Sequence, residues 1–353
     1  MKVRAPVVAA LAAALPLAVL TGGAAPASAG AGGRSAVRTS LPARRTRCNR
    51  VAHSPFAYHY PIRPFRRQHP IRGNFGDPRT LANEAFGTDT PRSPGSFTFH
   101  NGIDISAPTG TRVYAVVSGY ARIGYGDEVI VVSTDDRVFQ YFHIRPRIEP
   151  GQFVTAGRTV LGRVLPEWHH VHLTEIDGFR AHNPVDPGHL EPYADHTVPV
   201  VTELQFRDVD GEDIDPEKLR GRVVIVANAK DIPPVPVPGE WFGFPVTPAM
   251  VSWSLRNADG KVVVPLTTVA DFRHTEPSNR HFWDVYAAGT YQNFPVFAHH
   301  FFFHHSGRYL FDLTPTPLDT SHLANGTYVV TAVAGDVCGN RGSLSEPITI
   351  ANG

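Results

Sequence analysis

The chain has 353 residues, a net charge of +1, 18% charged residues and two cysteines. So balanced a charge leaves no electrostatic footprint for nucleic acid, and the length holds about two domains at ~150 residues each. Thirty-one glycines and 32 prolines, without sustained 3.6-residue apolar periodicity, point to a mainly β protein rather than a helical one.

The first element, residues 1–29, is expected to lie outside the fold. Lys2 and Arg4 precede an apolar run over 7–20, and Ala27-Ser28-Ala29 supplies small residues for cleavage after Ala29. This is the layout of a secretory signal peptide. The run is shorter than the ~20 apolar residues a spanning helix needs, and no later stretch approaches that length. The expected product is secreted, extracellular or cell-wall associated, with no membrane span.

Residues 30–70 read as a basic arm rich in proline and arginine. Ten arginines fall between positions 30 and 72, and the first acidic residue is Asp77. The composition predicts a solvated, extended arm, with an electrostatic tether to anionic wall polymers as the sharper alternative.

From residue 71 to about 190 the texture changes to short apolar stretches between turn residues. Strands are expected over 113–117, 128–133, 138–143 and 171–176, with Gly119, Gly124, Gly126, Asp135-Asp136, Pro150-Gly151 and Gly157 as punctuation. The pattern predicts a compact antiparallel β-sheet domain. A linker rich in Pro, His and Asp then leads to residues 198–353. Here strands are expected over 198–206, 223–229, 250–256, 262–269, 294–303, 327–333 and 347–350, with a hairpin at Asp259-Gly260. About seven such strands predict an immunoglobulin-like β-sandwich, a binding module or spacer. His299, His300, His304 and His305 flank three phenylalanines, but alternation divides them between two faces, so the run reads as an aromatic core strand.

Cys48 and Cys338 leave three readings open. They are a disulfide joining the arm to the end of the second domain, two free thiols, or Cys48 as an inhibitory metal ligand; spacing alone does not decide.

Chemistry concentrates in the first domain. His100-Asn101-Gly102-Ile103-Asp104 is an H-x-x-x-D pair entering a strand, Tyr141-Phe142-His143 ends another, and His169-His170-Val171-His172 opens a third. Residues two apart in a strand share a face, so His170 and His172 can look into one site while His169 and Val171 do not. Catalytic zinc takes three protein ligands and keeps one position open. Two imidazoles and a carboxylate satisfy that and leave other histidines for proton transfer.

These segments, in this order, resemble the lysostaphin/LytM-type zinc endopeptidases that hydrolyse peptidoglycan. Gly73-Asn74-Phe75-Gly76-Asp77-Pro78-Arg79 is similar to the family's opening strand and turn. The stretch from His100 to Gly110 is similar to its first metal motif, Tyr141-Phe142-His143 to its tyrosine-x-histidine segment, and His170-Val171-His172 to its H-x-H. Glu149-Pro150-Gly151-Gln152-Phe153-Val154, Gly157 and Leu161-Gly162 resemble its glycine-turn region. The resemblance covers about 71–187 and implies one zinc ion on His100, Asp104 and His172, with His143 and His170 as the catalytic pair. It also implies a metalloendopeptidase acting on peptidoglycan peptides; the two alternatives are a non-cutting wall-peptide-binding or hydrolase-activating module, and a zinc peptidase of secreted proteins. One departure stands out. Val164-Leu165-Pro166-Glu167-Trp168-His169 replaces the family's Gly/Ser/Thr-rich loop, so the resemblance implies one rebuilt wall of the substrate groove.

Overall fold

In a computed structural model of the protein, residues 36–41, 48, 54–80, 97–293 and 306–353 are described. Strand makes up 45% of it against 5% helix, and the larger sheets are antiparallel, as the alternation predicts. The expected signal segment, strand 294–303 and the four histidines of 299–305 lie outside the described residues.

The larger sheet of the first module carries the site. Its strand order is Phe153–Val154, Gly119–Ile123, Val129–Ser133, Val138–Phe142, His170–Asp177, Ile103–Ser106 and Ile71–Gly73, with Arg180–His182 beside His170–Asp177. Val129–Ser133 and Val138–Phe142 bury every second residue, so Val129, Val131, Phe139 and Tyr141 enter the core. His170–Asp177 is central and buried on both faces. Val171, Leu173 and Glu175 lie on its core side, where Glu175 meets Arg137, Tyr58 and His189. The alternate residues His170, His172 and Thr174 are left for the other face. A smaller sheet of Ile144–Pro146, Val160–Val164 and Arg112–Tyr114 adjoins the His143 end.

The second module is two antiparallel sheets. One runs Val37–Leu41, Arg341–Ile350, Gly326–Gly335, Met250–Asn257, Val262–Asp271, and the other Val200–Arg207, Arg222–Lys230, Leu310–Asp312, with Leu318–Asp319 beside Arg222–Lys230. The Asp259-Gly260 hairpin forms as expected, joining Met250–Asn257 to Val262–Asp271 with Gly260 at φ +78°.

The arm is where the structure departs from the expectation of a solvated segment. Val37–Leu41 is an edge strand on Arg341–Ser345, Tyr58–His59 pairs with Leu190–Glu191, and Tyr60 and Ile62 are buried. The physical reason is that Tyr58, Tyr60 and Ile62 enter the core of the first module, while Val37–Leu41 lies at the surface and is held on the second by strand pairing. Cys48 is bonded to Cys338, with Cα atoms 5.1 Å apart, so free thiols and an inhibitory Cys48 are set aside.

The two modules share one apolar interior. Phe99 packs against Phe272, Phe282 and Tyr286, and the Tyr286 hydroxyl donates to the Gly76 carbonyl at 2.7 Å. Gly76 sits at φ +87°, and a Cβ there would run into the Phe272 ring. Asp77 accepts from Thr247 N–H at 2.8 Å, and burial pushes its carboxyl up to about 7.

Candidate metal and catalytic site

Register builds the site. His172 stands directly opposite Asp104 on one neighbouring strand and Phe142 on the other, while Gly73 faces Asp104 from the far side. Directly opposed residues share a face with Cβ atoms about 5 Å apart. His100 arrives from the turn before Ile103–Ser106, and His143, at φ +65°, from the turn after Val138–Phe142. Gly73 is needed for space: a Cβ would lie 2.5 Å from Asp104 Oδ2 and 3.1 Å from Arg79 Nη2.

The five expected residues are brought together in two groups. His100 Nε2, Asp104 Oδ1 and His172 Nδ1 converge, at 2.8 Å between the nitrogens and 3.2 and 3.1 Å to the carboxylate. His143 and His170 lie beside them with ring centroids 4.6 Å apart, and His170 Nε2 is 3.3 Å from Asp104 Oδ1.

The donor set fits a zinc ion. His100 Nδ1 is 2.8 Å from the Asn74 carbonyl, which only accepts, so that nitrogen carries the proton and Nε2 keeps its lone pair. His172 Nε2 bonds Thr174 Oγ1 at 2.7 Å, turning Nδ1 inward. Such contacts on the outer nitrogen are what orients a metal-binding imidazole. Two lone pairs and a carboxylate oxygen thus meet at spacings near the ~3.3 Å edge of a tetrahedron with ~2 Å bonds. Burial, with Arg79 beside it, lowers His100 to about 3, so this imidazole is neutral at neutral pH. Burial opposes the Asp104 charge, yet His100, His170 and Arg79 together hold its carboxyl well below the usual range.

The flanking histidines are held differently. His143 Nδ1 is 3.0 Å from Asp127 Oδ2, and its ring stacks on Trp168 at 3.8 Å between centroids, 18° from parallel. Burial first and His170 second lower it to about 4. Burial also lowers His170, aided by the Arg72 charge and opposed by Asp104.

Arg72, Asp127 and Thr174 belong to the site although sequence reading did not single them out. Arg79 donates to Asp104 Oδ2 at 2.8 Å, and its place in the opening motif was a usable signal. Trp168 turns the unusual loop before His170 into an aromatic wall that is 39% exposed. Nothing in the sequence marked Arg72 or Asp127, whose roles depend on partners far along the chain.

Residues 98–187 match the sequence model of Peptidase family M23, and all five expected site residues fall inside this segment. No curated protein matches the chain. Among solved structures it is similar to the catalytic domain of a mutant of the prophage-encoded M23 protein EnpA from Enterococcus faecalis, at 28% identity and TM-score 0.26, over 37% of this chain and 96% of that one. It is also similar to LytU, at 21% identity and TM-score 0.25, over 33% of this chain and 83% of that one. A third is a putative M23 peptidase from Pseudomonas aeruginosa, at 20% identity and TM-score 0.23, over 35% of this chain and 47% of that one. The matched segment is thus of a peptidase, hence hydrolase, type, and its His-Asp-His group is a candidate metal site.

Proposed function

We propose that the protein is an exported zinc metalloendopeptidase that hydrolyses peptide bonds in peptidoglycan stem peptides or cross-links. The observation that carries this reading is the meeting of His100 Nε2, Asp104 Oδ1 and His172 Nδ1 at 2.8 to 3.2 Å from one another. Zinc held there would acidify a water and polarise the scissile carbonyl. His143 and His170, with ring centroids 4.6 Å apart beside the site, would take a proton from the attacking water and return one to the leaving amine. Trp168 and His143 offer a flat aromatic surface for the substrate backbone.

Residues 71–190 form the peptidase unit in this reading and 198–353 an immunoglobulin-like sandwich. The division into a five-strand and a four-strand antiparallel sheet supports the latter. Residues 1–29 direct export. The arm would hold anionic wall polymers through Arg44, Arg45, Arg47 and Arg50. Because its strands belong to the fold, substituting these four by Ser is a cleaner test than deleting the arm, and unchanged low-salt binding to sacculi would remove the tether.

The deciding experiment incubates the zinc-loaded protein with purified sacculi and identifies new amine termini. Cleavage dependent on zinc supports the peptidase. Stoichiometric zinc without new termini would replace it with a non-cutting wall-peptide module, and cleavage of secreted proteins alone would move the substrate away from the wall.

A further inference from the structure

Arg72 lies between the two modules. From strand Ile71–Gly73, its Nη2 donates to the Trp168 carbonyl at 2.7 Å and to His170 Nδ1 at 2.6 Å. Its Cζ also sits 4.1 Å from the ring centroid of Trp241, a residue of the second module. Trp241 ends the short turn Gly239–Trp241, within an excursion whose base is closed by Asp231 pairing with Val246. Asn74 Nδ2 donating to the Thr247 carbonyl, and Thr247 N–H donating to Asp77, fasten that base to the strand carrying Arg72. Arg72 is 7% exposed, and a desolvated cation over an indole face is a strong form of this contact.

These contacts decide where the His170 proton sits. A guanidinium only donates. His170 Nδ1 is also 2.7 Å from the Trp168 carbonyl, but a proton placed on Nδ1 would face an Nη2 proton across 2.6 Å, donor against donor. The carbonyl already receives Nη2. With Nδ1 accepting, the neutral ring carries its proton on Nε2, the nitrogen facing Asp104. His143 is reversed. Its Nδ1–H donates a hydrogen bond to the Asp127 carboxylate, which leaves Nε2 with a lone pair.

We propose that Arg72, held against Trp241 of the second module, is a positioning residue that fixes His170 as an Nε2–H donor. Proton abstraction then falls to His143, backed by Asp127, and His170 steadies negative charge developing on the scissile carbonyl oxygen. The second module is in this way a component of the reaction apparatus rather than a spacer. The catalytic half of this assignment rests on the peptidase reading; the tautomer half does not.

The test is nitrogen-15 NMR of histidine-labelled, zinc-loaded full-length protein, with the His170 signals assigned by His170→Gln. The expected pattern is a bare Nδ1 and a protonated Nε2 on His170. Arg72→Met should move the proton to Nδ1 or mix the tautomers, Trp241→Ala should do the same to a smaller degree, and Arg72→Lys should restore part of the original pattern. On sacculi, Arg72→Met should lower kcat about 10–100-fold at unchanged zinc content and little-changed KM, the range seen when an outer partner of a site residue is lost. A proton on Nδ1 in the unaltered chain, or a pattern indifferent to both Arg72→Met and Trp241→Ala, overturns the proposal. If Arg72→Met does not fold, Trp241→Ala and Arg72→Lys carry the same readout. A chain with the expected tautomers that cuts nothing would refute the peptidase reading alone, and a cutting chain without them would refute only this one.

Discussion

His100, Asp104 and His172 in the first module, and Asp195, Asp231 and Asp336 at its junction with the second, each bring three ligand-type atoms within 4.8 Å. Both groups are buried, yet their electrostatics run in opposite directions. In the first, imidazoles and Arg79 outweigh burial and keep Asp104 ionised. In the second, burial raises all three carboxyls, and Asp195 adds its repulsion at Asp231 and Asp336. Asp336 reaches about 6 and Asp231 goes well above the usual carboxylate range. The second group is spent on loop structure. Asp336 receives the N–H groups of Gly339 and Asn340, and Asp195 the N–H and hydroxyl of Thr197. Convergence of ligand atoms is therefore not enough. In the candidate metal site the ligand atoms are aimed at one another, whereas in the aspartate group part of each carboxylate is taken up by neighbouring N–H and hydroxyl donors.

The sharpest way to break this contrast is to remove a ligand. Asp104→Ala should drop bound zinc from about one ion per chain to near none by elemental analysis, because two imidazoles alone leave the set incomplete; zinc retained at full stoichiometry would show that the metal sits elsewhere. Asp231→Ala should leave zinc content unchanged. His143→Ala should keep zinc and lose about 10²–10⁴-fold in turnover on sacculi, the usual worth of a positioned acid or base. Loss of zinc instead would move His143 into the ligand set.

The remaining predictions concern stability around the aspartates. Cys48 is tied across 290 residues to Cys338, two positions beyond Asp336. Replacing both cysteines by Ser should cost about 2–5 kcal/mol in denaturant unfolding, and an unchanged midpoint would show that the bond constrains nothing. The smallest effect is the pH dependence of the triad. A carboxyl whose folded pKa is raised holds its proton after the unfolded chain has released it, so the folded state binds more protons and stability falls as pH rises. For Asp336 that loss spans the range from the ordinary aspartate value up to about 6, and for Asp231 it extends further. Asp231→Asn should therefore raise stability at pH 8 by about 1–3 kcal/mol relative to pH 5, measured by urea unfolding at both. An identical pH slope in the variant would contradict the raised carboxyls.

Much of the fold could be read from alternation. The core strands of both modules fall within a few residues of their expected positions, and the Asp259-Gly260 hairpin forms where its dipeptide placed it. Boundaries were less legible: the last strand begins at Arg341 rather than 347, because its first half pairs with the arm. Leu310–Asp312 and Leu318–Asp319 are too short to show a period.

For the site, sequence by itself determined that His170 and His172 share a strand face and that His100 and Asp104 frame the start of another. These are local consequences of a two-residue repeat and a short turn. Tertiary structure alone decided that Asp104 stands opposite His172, that Asp127 backs His143, and that Trp241 reaches Arg72 from 169 positions along the chain. Such contacts are fixed only when distant segments close over a common core, and no local periodicity encodes that Arg72, just beyond a basic arm, will be buried.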